Sequence, residues 1–403
     1  MKYIVILIDG AADYKIKELN NKTPLQYAKK PVVDFFAKHG TVGMVKTIPD
    51  GMSPGSDTAN LSVLGYDPRK YYTGRSSLEA VSMGINLTDE DITFRCNLVT
   101  LSDEENYSEK KMIDYSSGEI TTRESKILIE DIDKTLGTAD IKFYPGVSYR
   151  HVIVWKLGTD EFKLTAPHDI SGKKIGSYLP EGKYKNIILD LMIRSSVILN
   201  NHPVNKKRVE NNLRPANSIW IWGEGKKPRL DSFYKKYGLK GSVISAVDLV
   251  KGIGICAGLK PVNVDGATGN IHTNFTGKAR AVINELKSGQ DFVYVHIEAP
   301  DECSHQGDIF NKVKAIEIID EKVIKVIKDS MGDIKDDYKV LILPDHPTPI
   351  SKMTHTAEPV PFLIYQSNTK MYNDLQTFDE FCAQNAGLFI DDGYKLLDYF
   401  FKK

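Results

Sequence analysis

Six acidic and histidine residues have the types and the spacing of ligands for divalent metal ions. They are Asp9, Asp301, His305, Asp345, His346 and His355. Carboxylate oxygens and imidazole nitrogens suit Mn²⁺, Zn²⁺, Mg²⁺ or Co²⁺, so no cysteine thiolate is needed. Two such ions about 4 Å apart can clamp the attacking and the leaving oxygen of a phosphoryl displacement. The residue types therefore point to metal-assisted phosphoryl transfer.

Strands must position these side chains. Three apolar runs typical of buried strands, 3–8, 291–297 and 338–343, precede Asp9, Asp301 and Asp345 in turn. In open parallel sheets, ligands bind at the edge formed by the carboxyl ends of the strands. His305 lies four residues after Asp301, which places both on one face of a helical turn. We therefore expect the strands to deliver the candidates to one edge of a sheet.

Each candidate also has a commoner structural role when it is considered alone. Asp9 precedes a glycine, as turn and helix-cap residues often do. The pair Asp345-His346 fits a surface turn, and His355 fits a solvated loop. Their shared position after predicted strands favours the metal-site hypothesis.

The segment 51–60 is a second chemical feature, because a Pro-Gly turn precedes Ser56-Asp57-Thr58 at the start of a predicted helix. One interpretation is that Ser56 or Asp57 caps this helix. The other is that Ser56 is a nucleophile at a helix N-terminus, where phosphate binding is favoured. A metal ion would have to lower the pKa of the serine hydroxyl. The two roles are compatible.

Composition excludes several classes of protein. The 403 residues, 41% of them hydrophobic, suggest about two globular domains. Lys plus Arg and Asp plus Glu both number 53, so no net charge attracts nucleic acid or an anionic membrane. Four scattered cysteines without a CxxC pair favour a reducing cytosol. No run reaches the roughly 20 apolar residues of a membrane span. We expect a cytoplasmic enzyme acting on a small metabolite, with the oligomeric state open, a homo-oligomer included.

Strand and helix patterns alternate, which predicts an α/β fold with a parallel sheet. Further expected strands are 41–46, 241–246 and 361–365, and expected helices are 24–38, 57–64 and 309–328, with Asp248 capping another. The middle of the chain is more turn-rich, with expected strands 91–101, 142–145, 150–156 and 218–222 and a helix near 184–201. We expect both chain ends, 1–87 and 228–403, to form the main domain. Residues 88–227 would form a smaller inserted α/β domain, with linkers at 84–91 and 223–231.

Together these residues resemble the alkaline phosphatase superfamily, and more narrowly the archaeal-type branch of cofactor-independent phosphoglycerate mutase. The motifs that carry the resemblance are Asp9-Gly10, Pro54-Gly-Ser56-Asp57, Asp301-x-x-x-His305, Asp345-His346-x-Thr348-Pro349 and His355. Branch-type stretches are Thr23-Pro-Leu25, Leu64-Gly-Tyr-Asp-Pro68, Thr73-Gly-Arg75, Phe94-Arg95-x-Asn97, Pro167-His-Asp169, Gly266-Ala-Thr-Gly269 and Pro359-Val-Pro361. The resemblance covers nearly the whole chain.

The resemblance implies an alkaline-phosphatase-like core with two divalent ions, Mn²⁺ foremost, and no 2,3-bisphosphoglycerate. One ion would be held by Asp301, His305 and His355, and the other by Asp9, Ser56, Asp345 and His346. Ser56 would take the phosphoryl group from 3-phosphoglycerate and return it to the 2-hydroxyl. The inserted domain would hold the glycerate and exclude water. The candidate substrate-binding residues are Arg95, Arg150, His151, Asp169 and Arg214 of the inserted segment, and Arg75 just before it. The arginines suit carboxylate and phosphate.

Two local sequences depart from the archaeal pattern: Pro347 follows His346, and Glu302-Cys-Ser304 follows Asp301. Neither departure removes a candidate ligand. The stretches Tyr71-Tyr-Thr-Gly74 and Tyr144-Pro-Gly-Val-Ser-Tyr-Arg150 resemble a side branch whose members have been proposed to act as homoserine kinases. A phosphotransferase acting on another small acceptor, such as homoserine, is therefore the alternative function. A non-catalytic metal-binding module is the third.

Overall fold

The computed structural model describes residues 1–375 and 377–402. Its strands are β1 (Lys2–Ile8), β2 (Thr41–Val45), β3 (Ile92–Leu101), β4 (Met112–Asp114), β5 (Ile141–Val147), β6 (Arg150–Trp155), β7 (Phe162–Lys163), β8 (Glu181–Gly182), β9 (Ser218–Lys226), β10 (Gly241–Ile244), β11 (Lys260–Val262), β12 (Phe292–Ile297), β13 (Tyr338–Leu343), β14 (Val360–Gln366) and β15 (Phe389–Ile390). The strands predicted around the candidate ligands are all present.

The helices alternate with these strands over much of the chain. They are α1 (Pro24–Tyr27), α2 (Pro31–Lys38), α3 (Ser56–Val63), α4 (Pro68–Tyr71), α5 (Arg75–Ser82), α6 (Thr122–Leu136), α7 (Lys185–Asn200), α8 (Pro203–Glu210), α9 (Phe233–Tyr237), α10 (Asp248–Cys256), α11 (Phe275–Lys287), α12 (Ala299–His305), α13 (Ile309–Ile319), α14 (Lys325–Ile334), α15 (Glu380–Asn385) and α16 (Leu396–Phe401). Within the described ranges, no helix has the length and apolarity to cross a bilayer.

Two compact units divide the chain. The first contains Met1–Tyr72 and the chain from Arg229 onward, and the second contains Thr73–Pro228. The first change of unit precedes the expected boundary at 87/88, because α5 packs on β3 and β9 of the second unit. The expected linker 223–231 is partly strand, since β9 continues to Lys226.

An eight-stranded sheet forms the centre of the first unit, in the order β11-β10-β12-β1-β13-β14-β2-β15. The apolar strand β1 pairs in parallel with β12 and with β13, so it is buried in the middle of the sheet. The sheet is parallel as predicted, except that β14 runs antiparallel to both of its neighbours. The parallel arrangement places the ends of β12, β1 and β13 side by side.

Three details of the first unit differ from the expectations. The single helix expected over 24–38 is broken into α1 and α2, because Pro31 begins α2 and disfavours helical backbone before it. The long helix expected over 309–328 contains a π-helical turn at Asp320–Ile324. Asp248 is the first residue of α10 rather than its cap, since Val247 holds that position and no side chain caps the helix.

The second unit contains a separate sheet. Strands β4, β3, β6 and β5 are neighbours in that order, β9 also pairs with β3, and every pairing is antiparallel. One face of β3 supplies Phe94, Cys96 and Leu98 to a core shared with helices α6 and α7. Because side chains alternate along a strand, Arg95 and Asn97 lie on the other face. That face is therefore free to carry polar groups.

Candidate metal centre

The candidate ligands from three adjacent strands lie close together at the carboxyl edge of the large sheet. Asp9 follows β1, Asp345 follows β13, and Asp301 lies in α12, which follows β12. His346 and His355 lie in the connection between β13 and β14, and His305 ends α12. All six residues belong to the first unit.

Asp301 is the centre of the first group. His305 Nε2 lies 3.1 Å from Asp301 Oδ2, and His355 Nε2 lies 3.5 Å from Asp301 Oδ1. The two imidazole Nε2 atoms are 3.0 Å apart. His305 Nδ1 is 3.0 Å from the Met353 carbonyl oxygen, which can only accept a hydrogen bond. Nδ1 is therefore the donor, and Nε2 of His305 faces Asp301 and His355.

His346 is the centre of the second group. Its Nε2 lies 3.2 Å from Ser56 Oγ, 3.4 Å from Asp345 Oδ2 and 3.7 Å from Asp9 Oδ1. The side chains of His346 and both aspartates are almost completely buried.

The hydroxyl of Thr348 links the two groups and sets the tautomer of His346. Thr348 Oγ1 donates to Asp301 Oδ1 at 2.6 Å, so it accepts from His346 Nδ1 at 3.2 Å. Burial lowers the pKa of His346, which favours the neutral ring. A neutral ring with its proton on Nδ1 keeps the Nε2 lone pair available to a metal ion.

Ser56 is the first residue of α3, and the capping position belongs to Gly55. No side chain caps this helix, so the interpretation of Ser56 or Asp57 as an N-cap is wrong. The Asp57 carboxylate instead accepts from Thr58 N at 2.9 Å and from the Tyr72 hydroxyl at 2.8 Å. Ser56 Oγ is therefore directed to His346 while its backbone sits at the positive end of the helix.

Charge is concentrated in this centre. Burial, together with Asp345, Asp301 and Glu298, raises the pKa of Asp9 well above its ordinary value. Burial also opposes ionisation of Asp301, but hydrogen bonds from His305 and His355 hold its pKa well below the ordinary value. The bond to Asp301 raises the pKa of His305 to about 9. A metal ion that binds His305 must therefore displace a proton.

The chemistry of the donors fits divalent ions. Asp9 Oδ1 is buried, and none of the described residues donates a hydrogen bond to it, which is costly for a carboxylate unless a cation is present. In the described part of the chain, three sets of ligand atoms lie within 4.8 Å of one another: Asp301, His346 and His355; Asp9, Asp345 and His346; and Asp9, Glu298 and Asp301. His305 is absent from these sets, although it contacts Asp301 directly. Glu298 was not predicted, although its position after the strand 291–297 was an available signal.

Other residues at the centre were also not predicted from the sequence. His296 Nε2 lies 2.9 Å from Asp9 Oδ2, and the Tyr294 hydroxyl donates to Asn60 Oδ1 at 2.6 Å. A histidine inside an apolar strand is uncommon enough to be a signal. Asn60 and Thr348 gave no such signal, because their partners are distant in sequence.

In the second unit, three of the predicted substrate-binding arginines lie near one carboxylate-bearing face. Arg75 Nε and Arg95 Nε donate to opposite oxygens of Glu79, at 3.0 and 3.1 Å. Arg150 pairs across strands with Asn97, which places it on the same face as Arg95. Burial lowers the pKa of Arg95, with Arg75 and Arg150 contributing in the same direction. The face is therefore locally basic.

Aromatic rings extend this face. The Arg95 guanidinium lies 4.3 Å from the centroid of the Trp222 ring, and Trp222 Nε1 donates to Asn97 Oδ1 at 3.0 Å. The His168 ring contacts Trp222 edge-on at 5.3 Å, and the next residue is Asp169. Asp169 is thus close to the arginine-bearing face and is exposed.

In the described part of the chain, no contact joins the other two predicted residues, His151 and Arg214, to these arginines. His151 alternates with Arg150 along β6 and lies on the core side, completely buried, where burial lowers its pKa to about 3. Arg214 donates to Asp114 Oδ2 and is half exposed.

Known proteins resemble this chain over nearly its full length. The family model for 2,3-bisphosphoglycerate-independent phosphoglycerate mutase matches residues 37–205. A Geobacter sulfurreducens protein named as a probable mutase of this kind is 48% identical over 99% of this chain and 99% of its own. A Methanosarcina mazei mutase is 49% identical over 96% of both chains. The structure of a cofactor-independent phosphoglycerate mutase from Thermoplasma acidophilum is 26% identical, with a TM-score of 0.68 and 99% of both chains covered.

These matches confirm the resemblance seen in the motifs and favour the mutase branch over the kinase alternative. The parallel-sheet α/β fold agrees with it. The chain belongs to the archaeal-type 2,3-bisphosphoglycerate-independent phosphoglycerate mutases, a family of isomerases.

Proposed function

We propose that this protein interconverts 3-phosphoglycerate and 2-phosphoglycerate through a phosphoserine at Ser56. The observation that carries the proposal is the position of Ser56 Oγ, 3.2 Å from His346 Nε2 and beside the buried carboxylates of Asp9 and Asp345. The substrate is supported by the names of relatives that are nearly half identical over the whole chain.

The ligand atoms support two ion positions. We assign one ion to Asp301, His305 and His355, and the other to Asp9, Ser56, Asp345 and His346. Bound divalent ions supply Lewis-acid chemistry, lowering the pKa of a coordinated hydroxyl and neutralising charge on transferring phosphate. Mixed imidazole and carboxylate ligands suit Mn²⁺, Zn²⁺, Mg²⁺ and Co²⁺. We propose Mn²⁺ as the resident ion, as the family resemblance implies.

Ser56 would act as the nucleophile in the first transfer and as the leaving group in the second. Ser56 Oγ bonds to the phosphorus of 3-phosphoglycerate as the bond from phosphorus to the 3-oxygen breaks; the serine hydroxyl loses a proton and the 3-oxygen gains one. The glycerate stays bound, and its 2-hydroxyl oxygen bonds to the same phosphorus as the bond to Ser56 Oγ breaks; the 2-hydroxyl loses a proton and Ser56 Oγ regains one. The N-terminus of α3 favours the negative charge in both directions. Because the phosphate returns to the same glycerate, 2,3-bisphosphoglycerate is not required.

The second unit would bind the carboxylate and hydroxyl groups of the glycerate. Arg75, Arg95 and Arg150 support this role, since guanidinium groups bind carboxylate and phosphate through paired hydrogen bonds. Asp169 would accept from a substrate hydroxyl. His151 and Arg214 are not included, because one is buried in the core and the other is paired with Asp114. A small glycolytic metabolite and four free cysteines support a cytoplasmic location.

An enolase-coupled assay without bisphosphoglycerate tests the proposal. Metal-loaded protein should convert 3-phosphoglycerate, and Ser56→Ala should lose essentially all activity. Ser62→Ala is the matched control, because Ser62 lies in the same helix, is buried and has an unpartnered hydroxyl. Homoserine with ATP is the parallel substrate. Phosphorylation of homoserine without any enolase-linked signal would contradict the mutase assignment, and full activity of Ser56→Ala would contradict the phosphoserine.

A further inference from the structure

Strand β12 carries two buried polar side chains on one face. Tyr294 and His296 are separated by one residue, so they point the same way, and both are completely buried. Each makes a hydrogen bond to a group at the candidate metal centre. A buried polar side chain in a central strand is costly unless its bonds are made, so these two need an explanation.

His296 holds one oxygen of Asp9. Its Nε2 lies 2.9 Å from Asp9 Oδ2, and its Nδ1 lies 3.3 Å from the Ser245 hydroxyl. When Asp9 is ionised its carboxylate can only accept, so Nε2 of His296 donates to it. Nδ1 is then left as an acceptor that faces the Ser245 hydroxyl, which also lies 3.3 Å from the Val247 carbonyl oxygen. With Oδ2 occupied, Asp9 Oδ1 remains without a partner and faces His346. The hydrogen bond thus selects which oxygen is left for a metal ion.

Tyr294 acts through Asn60. The tyrosine hydroxyl donates to Asn60 Oδ1 at 2.6 Å, which fixes the orientation of the amide. Asn60 Nδ2 then donates to the Ser56 carbonyl oxygen at 2.8 Å and to Asp345 Oδ2 at 3.1 Å. If the amide were reversed, an oxygen would face both of these acceptors. One amide therefore ties the helix that carries Ser56 to the aspartate beside it.

We propose that Asn60, Tyr294 and His296 form a positioning layer beneath the metal centre. The layer leaves Asp9 Oδ1 free for an ion and sets the distance between Ser56 and Asp345. The inference rests on the proposed two-ion centre and adds three residues that do not touch substrate. Ligating carboxylates are commonly held by such outer hydrogen bonds, whose loss weakens metal binding about 10- to 100-fold.

Metal binding to the metal-stripped protein tests the role of His296. Isothermal titration with Mn²⁺, checked by elemental analysis, measures each ion separately. His296→Leu removes the donor, so we expect the affinity of the Asp9 ion to fall about 10- to 100-fold while the Asp301 ion keeps its affinity. His296→Gln can still donate from its amide and should recover most of the loss. Wild-type affinity for both ions in His296→Leu, or an equal loss at both, would overturn the inference.

Tyr294→Phe removes only the hydroxyl and keeps the ring. Because the Asn60 amide is then free to reverse, we expect kcat to fall at least tenfold with the KM for 3-phosphoglycerate little changed. Tyr66→Phe is the matched control: Tyr66 is also buried, and its hydroxyl donates to the Asp231 carbonyl at 2.7 Å, away from the centre. An unchanged kcat in Tyr294→Phe, or the same loss of kcat in Tyr66→Phe, would show that the hydroxyl is merely structural.

These measurements separate the inference from the proposed function. Selective loss of one ion in His296→Leu supports the layer whether or not the wild type interconverts the phosphoglycerates. If the wild type is an active mutase and His296→Leu binds both ions as tightly as the wild type, the proposed function stands and the positioning layer is refuted.

Discussion

Lys312 is buried in the first unit and should be indispensable to the loop that carries His346. Its Nζ is 2.7 Å from Asp13 Oδ2 and donates to the Thr348 carbonyl oxygen at 3.0 Å. Neither side chain of the Lys312–Asp13 pair is more than 1% exposed. Lys312→Met would leave the Asp13 carboxylate buried without its counter-charge.

Removing one partner of a buried ion pair typically costs about 3–5 kcal/mol. Asp13 Oδ2 keeps a bond from Ile350 N at 3.1 Å, and Oδ1 keeps one from Tyr14 N at 2.6 Å, so the lower end of that range is expected. For a domain of this size, about 3 kcal/mol corresponds to a fall in Tm of roughly 6–12 °C. Activity should fall as well, since Thr348 bonds both Asp301 and His346.

Calorimetry or denaturant unfolding of metal-free protein measures the cost. The double variant Asp13→Asn, Lys312→Met removes the stranded charge and should be more stable than Lys312→Met alone. Lys395→Met is the control, because its pair with Asp392 lies at the surface, with neither side chain buried, and its loss should cost less than about 1 kcal/mol. If Lys312→Met costs no more than Lys395→Met, the reasoning from burial is refuted.

Three further changes have defined outcomes. Burial raises the pKa of Glu380 from 4.5 to about 7, so its stabilising effect is complete below pH 4.5 and lost as the pH rises through 7. The free energy of unfolding of the wild type, relative to that of Glu380→Gln, should therefore fall between pH 4.5 and 7. Parallel plots of unfolding free energy against pH for the two proteins would contradict this. At the start of α2, the Asp320 carboxylate accepts hydrogen bonds from the backbone N–H groups of Val32 and Val33 and so caps the helix. Asp320→Ala should therefore lower the free energy of unfolding by roughly 0.5–2 kcal/mol in denaturant unfolding. An unchanged free energy of unfolding would rule out the cap. Arg150→Met should raise the KM for 3-phosphoglycerate about 10- to 100-fold, and Arg150→Lys should have an intermediate KM. The control Arg194→Met, at an exposed arginine, should leave the KM unchanged. A wild-type KM in Arg150→Met would remove Arg150 from the proposed substrate site.

The sequence was most informative where the cause is local. Apolar runs predicted β1, β12 and β13, and the rule that ligands bind at the carboxyl ends of parallel strands predicted that Asp9, Asp301 and Asp345 would be neighbours. The structure places those three strands side by side. Residue type and strand position together were sufficient for this part of the candidate site.

Features that depend on distant partners were missed. The reversed direction of β14 follows from its pairing with β13 and β2, which strand propensity does not encode. The hydrogen bond between Tyr294 and Asn60 joins residues 234 positions apart. Ser56 shows the opposite error: a local rule favoured a cap, but Gly55 precedes it and Ser56 Oγ lies beside His346. The tertiary partner prevailed over the local preference.

The place of β1 in the middle of the sheet has a consequence for synthesis on the ribosome. Its partners β12 and β13 begin at Phe292 and Tyr338, so β1 leaves the ribosome long before either exists. At about 5–20 residues per second, the apolar side chains of β1 remain unpaired for roughly 15–60 s before the first partner strand is made. The core of the second unit draws only on residues 92–222 and can form during that wait. The second unit can therefore fold while β1 is still unpaired, and an unpaired apolar strand is prone to aggregation.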